Sequence, residues 1–385
     1  MAVEMGELYW QALTADVPFR DYETTGLIAA ALADLNAFSH PLRSQAPEKL
    51  TPRALFRGET AGDIIGPYIS QFLLLDVPYG IKIFDQRYRF PSRNQTFLTN
   101  FSEWLACQRG AEPASKLQFE SQPRYICSNR ELAEYVHQDF SFQSYLNAAL
   151  IMLRLGPEAL NPTNPYLGSR TQFGDITFGN KNVLSLIAQG SLLGQKSTYY
   201  HKWLVYRRLR PECFAVRIEA SLSGRKAYDV HPEVLNSDAV GRVKAAYKSC
   251  LLPSAFPEGS PTHPSYPAAH ATNAGACATV LKAFFNEEYP LPDPVEATPD
   301  GSALTPWKGE PLTLGNEINK LASNIVLVGT QPGSITGLIA SMASSLVRNK
   351  PWPSSVITVE HTMSDSMVLS SLPFAERRSG SPMAS

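Results

Sequence analysis

Two stretches of the 385-residue sequence order their side chains in a way that can do chemistry. The first, "SPTHPSYPAAHATNAGA" at residues 260 to 276, sets two histidines seven apart, His263 and His270. Pro261, Pro264 and Pro267 forbid a helix ahead of His270, whereas the small residues from Ala268 onward, continued by "ACATVLKAFF", tolerate one. His270 therefore falls on the first turn of a predicted helix, where backbone N–H groups lack an intrahelical acceptor. Such a turn attracts an anion, and an imidazole beside it can exchange a proton with that anion. The second stretch, "HKWLVYRRLRPE", carries Lys202, Arg210 and Pro211. Eight residues are just over two helical turns, so on one helix Lys202 and Arg210 lie within about 80° of each other. Pro211 is then expected to end the segment. An ammonium and a guanidinium on one side, with no acid between them, suit an oxyanion. Each stretch also has a plainer reading: a structural histidine at a helix start, and a solvated basic helix face.

The elements that must position these residues read as helices. "YETTGLIAAALADLNAF" and "FSFQSYLNAALIMLRLG" carry apolar residues at three- and four-residue steps. In "LGNEINKLASNIVLV", Leu314, Ile318, Leu321, Ile325 and Val328 form a single stripe. Strand-type alternation is scarce. Thirty prolines fall mostly between the apolar segments, which predicts a mainly α protein with long proline-bearing loops and no internal repeat.

Hydrophobic residues make up 44% of the chain and charged residues 18%, enough for a sizeable core. The formal net charge of −1 provides no positive field to collect phosphates, which argues against nucleic acid as a partner. No apolar run approaches the ~20 residues of a membrane span. "MAVEMGELYWQALTADVPF" is acidic and interrupted, unlike a secretory signal. The five cysteines (107, 127, 213, 250 and 277) are scattered, with no C-x-x-C pair, and read as reduced thiols of a cytoplasmic protein. No zinc, haem or iron–sulfur motif is present.

Taken together, "KWLVYRRLRPE", "FPEGSPTHPSYPAAHATNAGA" and "LGNEINKLASNI" resemble the vanadium-dependent haloperoxidases, particularly their bromoperoxidase-like branch. "ELYWQALTADVPF", "FRGETAGDIIGPYISQFLL" and "ELAEYVHQDFSFQSYLNAALIML" are similar to the same family, and the resemblance runs from about residue 5 to residue 327. It implies an all-α, helical-bundle fold shared with the type 2 phosphatidic-acid phosphatases, with vanadate or phosphate held in a bundle core. It implies hydrogen peroxide, a halide (bromide by branch) and a small organic molecule as reactants, and allows a homo-oligomer. By resemblance, Lys202 and Arg210 neutralise the vanadate oxygens, the backbone N–H of Ala269 donates to them, and His270 is the acid–base group. The family's P-S-G-H motif reads Pro267, Ala268, Ala269, His270 here, so its hydroxyl is missing at Ala268. The third family motif, R-x5-H-x3-D, supplies the histidine that binds vanadium directly. Aligned from "NKLASNI", its arginine falls at Gly329 and its histidine at Ile335, and the one histidine beyond His270 is His361. No direct metal ligand is therefore assigned. The alternatives are a vanadium-independent relative, acting as phosphatase or isomerase, and a non-catalytic phosphate-like anion binder.

After residue 327 the serine-rich text loses both helical and strand periodicity, which divides the chain into a haloperoxidase-like domain at 1–327 and an aberrant tail at 328–385. Shifted by two nucleotides, the codons of "LVGTQPGSITGLI" permit G-R-N-x-A-G-E-H-Y-R-S-D, which contains the missing motif. The next segments in that frame permit an amphipathic helix and then a strand-like end. Two readings of the tail follow: a single-nucleotide loss near Leu327, which leaves the chain impaired, or a genuine, disordered and divergent segment.

Overall fold

The computed structural model describes residues 1–39 and 49–328 of the chain. The tail at 329–385, including Gly329, Ile335, His361 and the shifted-frame reading, lies outside the described residues.

The described chain is a helical assembly, as expected. Its helices are α1 (Ala2–Leu13), α2 (Gly26–Leu35), α3 (Phe101–Gln108), α4 (Asn129–Gln138), α5 (Gln143–Met152) and α6 (Asn180–Tyr200). They continue with α7 (Pro211–Leu222), α8 (Pro232–Leu235), α9 (Asp238–Tyr247), α10 (Ala269–Phe284) and α11 (Leu314–Val328). Two short antiparallel hairpins add the strands that periodicity did not foresee: β1 (Val77–Tyr79) with β2 (Lys82–Phe84), and β3 (Val295–Ala297) with β4 (Leu304–Pro306). Three residues per strand are too few to display an alternation.

The apolar stripe of α11 is its buried face: Leu314, Ile318 and Leu321 are fully buried and Ile325 nearly so. Burial of each such side chain contributes about 1.5–3 kcal/mol. α11 also buries Glu317 and Lys320, which pair with each other at 2.5 Å. Glu317 accepts from the Gln71 backbone at 2.8 Å, tying α11 to the 3-10 turn at Gln71–Leu73.

The closest helix pair is α6 with α10, and small residues allow it. A methyl added at Gly194 would stand 3.0 Å from Asn273 Oδ1, and one at Gly190 would stand 3.7 Å from the Ala276 side chain. Thr198 Oγ1 donates to Thr272 Oγ1 at 2.9 Å. Residue numbers climb on α6 as they fall on α10, so the two helices run antiparallel. α11 starts beside the far end of α10, where Leu314 N donates to Tyr289 O at 3.0 Å and Gly315 N to Glu287 O at 2.9 Å. It packs along α10. Among the described residues, no helix is long and apolar enough to cross a membrane.

Candidate functional site

Lys202 and Arg210 do not share a helix, contrary to the expectation from their spacing. α6 ends at Tyr200 and loosens into a π-helical turn, His201–Tyr206. Arg207 then takes a left-handed conformation (φ 43°), and Arg210 is the N-cap of α7. Pro211 opens that helix rather than ending one. Its fixed φ suits a first helical position, where the N–H it lacks would have had no acceptor. The two cations are brought together by a chain reversal between helices.

The π turn aims one side chain inward. Lys202 is 1% exposed, while its neighbours Trp203, Leu204, Val205 and Tyr206 are all half exposed or more. Lys202 Nζ lies 2.9 Å from His263 Nδ1, and Tyr199 stands beside both, its ring centre 5.7 Å from the ammonium and 5.5 Å from the imidazole. Arg210 Nη1 donates to the His263 carbonyl at 3.4 Å, and its Nε pairs with Glu212. Burial first, and Arg210 second, lower the Lys202 pKa to about 7. Burial, with Lys202 and Arg210 adding to it, lowers the His263 pKa too, against the Pro264 carbonyl. His263 Nδ1 is 2.9 Å from both Lys202 and that carbonyl. A bare Nδ1 accepts from the ammonium; a protonated Nδ1 donates to Pro264 and faces a neutral amine.

His270 is the second residue of α10, as expected, and Ala269 is the first. The N-cap, Ala268, makes no side-chain cap, so nothing from it occupies the first-turn N–H groups. Because Thr198 meets Thr272, Lys202 lies one turn beyond that contact at the same end of the pair as Ala269 and His270. His270 Nε2 is 3.0 Å from Asp139 Oδ1, and the Asp139 side chain is 1% exposed. Burial raises the Asp139 pKa, and the hydrogen bond and charge of His270 pull it back down. The other ring nitrogen, His270 Nδ1, is buried without a hydrogen-bond partner among the described residues.

Sequence reasoning missed Asp139 and gave His263 no role. A signal for Asp139 did exist. It caps the C-terminus of α4, where the helix dipole disfavours a carboxylate, so an acid there needs a cation from elsewhere in the fold. His263 carried no signal beyond its type, because its partner Lys202 is 61 residues away.

Tested against an oxyanion, these residues fit. Lys202 is buried with no carboxylate partner among the described residues, α10 starts uncapped, and His270 Nδ1 is an orphaned buried acceptor or donor. A direct metal ligand is another matter. Among the described residues, no group of three His, Cys, Asp or Glu side chains can hold a metal ion. The positions of the third motif come after Val328 and lie outside the described residues.

No protein-family profile matches the chain. It is 34% identical to a vanadium-dependent bromoperoxidase of Ascophyllum nodosum over 346 residues, covering 84% of this chain and 62% of that protein. It is 30% identical to vanadium-dependent bromoperoxidases of Corallina pilulifera and Corallina officinalis, each alignment covering 85% of this chain and 65% of the relative. The chain thus spans just under two thirds of the length of these relatives. Its fold matches the homohexameric structure of the second vanadate-dependent bromoperoxidase from Ascophyllum nodosum with a TM-score of 0.82 and 27% identity, over 89% of this chain and 63% of that one.

Proposed function

We propose that the chain, which is similar to the vanadium-dependent bromoperoxidases in sequence and fold, is a haloperoxidase-type enzyme whose vanadate site is built on Lys202, Arg210, Ala269 and His270. The reaction assigned to it joins a halide, hydrogen peroxide and a proton to give a hypohalous acid and water. The acid then halogenates an electron-rich organic molecule. One observation carries the reading: a lysine 1% exposed, set against an arginine and a histidine and paired with no acid. Such a cluster is costly unless an anion neutralises it.

Vanadate, when bound, supplies a Lewis acid that polarises peroxide for attack by halide. Lys202 offers a point charge to the oxygens and Arg210 a fork, steadied by Glu212. Ala269 and His270 present the first-turn N–H groups of α10, which add a partial positive charge. Asp139 holds His270 through Nε2, which leaves Nδ1 as the atom that takes up and returns a proton. The proton that the reaction consumes is assigned to this nitrogen.

A second reading is favoured by Gly329 and Ile335, which stand where the family has an arginine and its vanadium-binding histidine. With these residues the printed chain keeps an anion pocket and loses redox power, as a vanadium-independent phosphatase or isomerase, or a plain anion binder. Phosphate titration against the full chain tests the shared pocket, and vanadate-dependent bromination separates the two readings. Absence of phosphate binding would overturn both.

A homo-oligomer belongs to the same proposal. It is supported by the exposed side of α6 and its π turn, where Leu192, Tyr200, Trp203, Leu204 and Tyr206 are each at least half exposed. Apolar patches of that extent on a monomer commonly mark an interface. Placement in the cytoplasm is supported by five cysteines that form no disulfide.

A further inference from the structure

The His270–Asp139 pair accounts for one buried acid, but not for the polar groups packed behind it. Tyr135 on α4 and Tyr145 on α5 are buried, and neither phenol oxygen has a hydrogen-bond partner among the described residues. Asn273 is 1% exposed, stands one turn along α10 from His270, and has neither amide atom partnered. Tyr135, Tyr145 and Asp139 neighbour one another, whereas Asn273 Oδ1 packs against Gly194 of α6. Burial raises the phenol pKa of each tyrosine; the Asp139 charge adds to the rise in both, and Tyr145 adds to it in Tyr135. Tyr88 stacks edge-on against Tyr135 at 5.2 Å, and Cys277 faces Tyr145 from α10. Asp139, His270, Tyr88 and Cys277 are thus the titratable groups around the two phenols.

A buried phenol without a partner costs free energy, and two in one place beside a buried carboxylate cost it twice. An apolar redesign would use phenylalanine at both positions. We infer that Tyr135, Tyr145 and Asp139 line an internal hydration site, in which ordered water accepts from the phenols and donates to the carboxylate. The chemistry selects water over an ion. Asp139 repels a halide, and its one charge is already engaged by His270, which leaves a cation uncompensated. Water donated to Asp139 keeps the carboxylate ionised, and an ionised Asp139 holds His270 in the orientation assigned above. The inference rests on that role of Asp139 for its consequence, not for the existence of the site.

The test uses the full chain and two conservative variants, Tyr135→Phe and Tyr145→Phe, which delete one oxygen each and keep the ring. If water occupies the site, each variant raises the unfolding constant roughly three- to tenfold, because a hydrogen bond to water is lost. If the site is dry, removal of an unsatisfied oxygen leaves that constant unchanged or lowers it, and the inference is overturned. A high-resolution crystal structure gives the independent readout. Water within hydrogen-bonding distance of both phenol oxygens supports the site, and an empty or apolar-filled space overturns it. Carbon-13 titration of the Asp139 carboxyl tests the consequence alone. Its midpoint rises in both variants if the water donates to it, and stays in place if the water serves only the tyrosines.

Discussion

Lys202 sits in an environment that opposes what its type prefers. Its folded pKa, about 7, lies below the ordinary 10.5, so between those values the unfolded chain binds more protons than the folded one. Stability contributed through this residue therefore rises with pH across that window, and the penalty is complete below pH about 7. An anion reverses the balance, since it binds the ammonium and not the amine. Phosphate affinity should fall as pH rises above about 7 in the native chain. Lys202→Met should flatten that part of the profile, whatever the ionisation of phosphate itself contributes. In Lys202→Ala the affinity should drop by roughly one to two orders of magnitude, from the ~1.5–3 kcal/mol of one charged hydrogen bond. Isothermal titration of the three proteins at several pH values checks both outcomes. Equal affinity in all three would place the anion site elsewhere.

At the scale of elements, the site depends on how two helices begin and one ends. α10 begins at Ala268 with φ −85° and ψ 134°, the conformation of an N-cap, but with no side chain able to cap. Ala268→Ser supplies the missing oxygen and should stabilise the protein by about 1 kcal/mol. It should also tighten phosphate binding, because the hydroxyl adds a donor beside Ala269 and His270. Chemical denaturation and the same titration measure the two effects. A destabilised Ala268→Ser protein would mean that the 2%-exposed position has no room for the oxygen. α7 begins at Pro211, and α6 ends in the π turn. Neither boundary follows from residue spacing, which is why Lys202 and Arg210 were assigned to one helix. The stripe of α11, by contrast, is a core face from Leu314 through Ile325, because each of these four- and three-residue steps lands on a buried side chain.

For the whole molecule, the open quantity is catalytic power. The described residues carry the cations, the helix start and the histidine proposed for acid–base work, while the direct-ligand position of the family reads Ile335. Bromination of a monochlorodimedone-type acceptor with vanadate and peroxide should therefore be no more than trace in the printed chain. A chain restored to the shifted frame from Leu327, with its arginine, histidine and aspartate, should turn over robustly. Robust turnover by the printed chain would show that the third motif is dispensable. Trace turnover by the restored chain would remove the frame reading.

Much of this protein was determined by the order of its residues alone. The mainly helical class followed from apolar periodicity, and the start of α10 beside His270 followed from three prolines giving way to small residues. These are local properties, fixed by backbone sterics within a few residues. The pairings that make the site were decided only in three dimensions. His263 reaches Lys202 across 61 positions and Asp139 reaches His270 across 131, and no sequence period encodes either distance. The lowered pKa of Lys202 likewise arises from burial, which comes into being when α6, α7 and the His263 loop close around it. A charge on the chain is legible as a residue type; what it costs, and which partner answers that cost, is set by the packing.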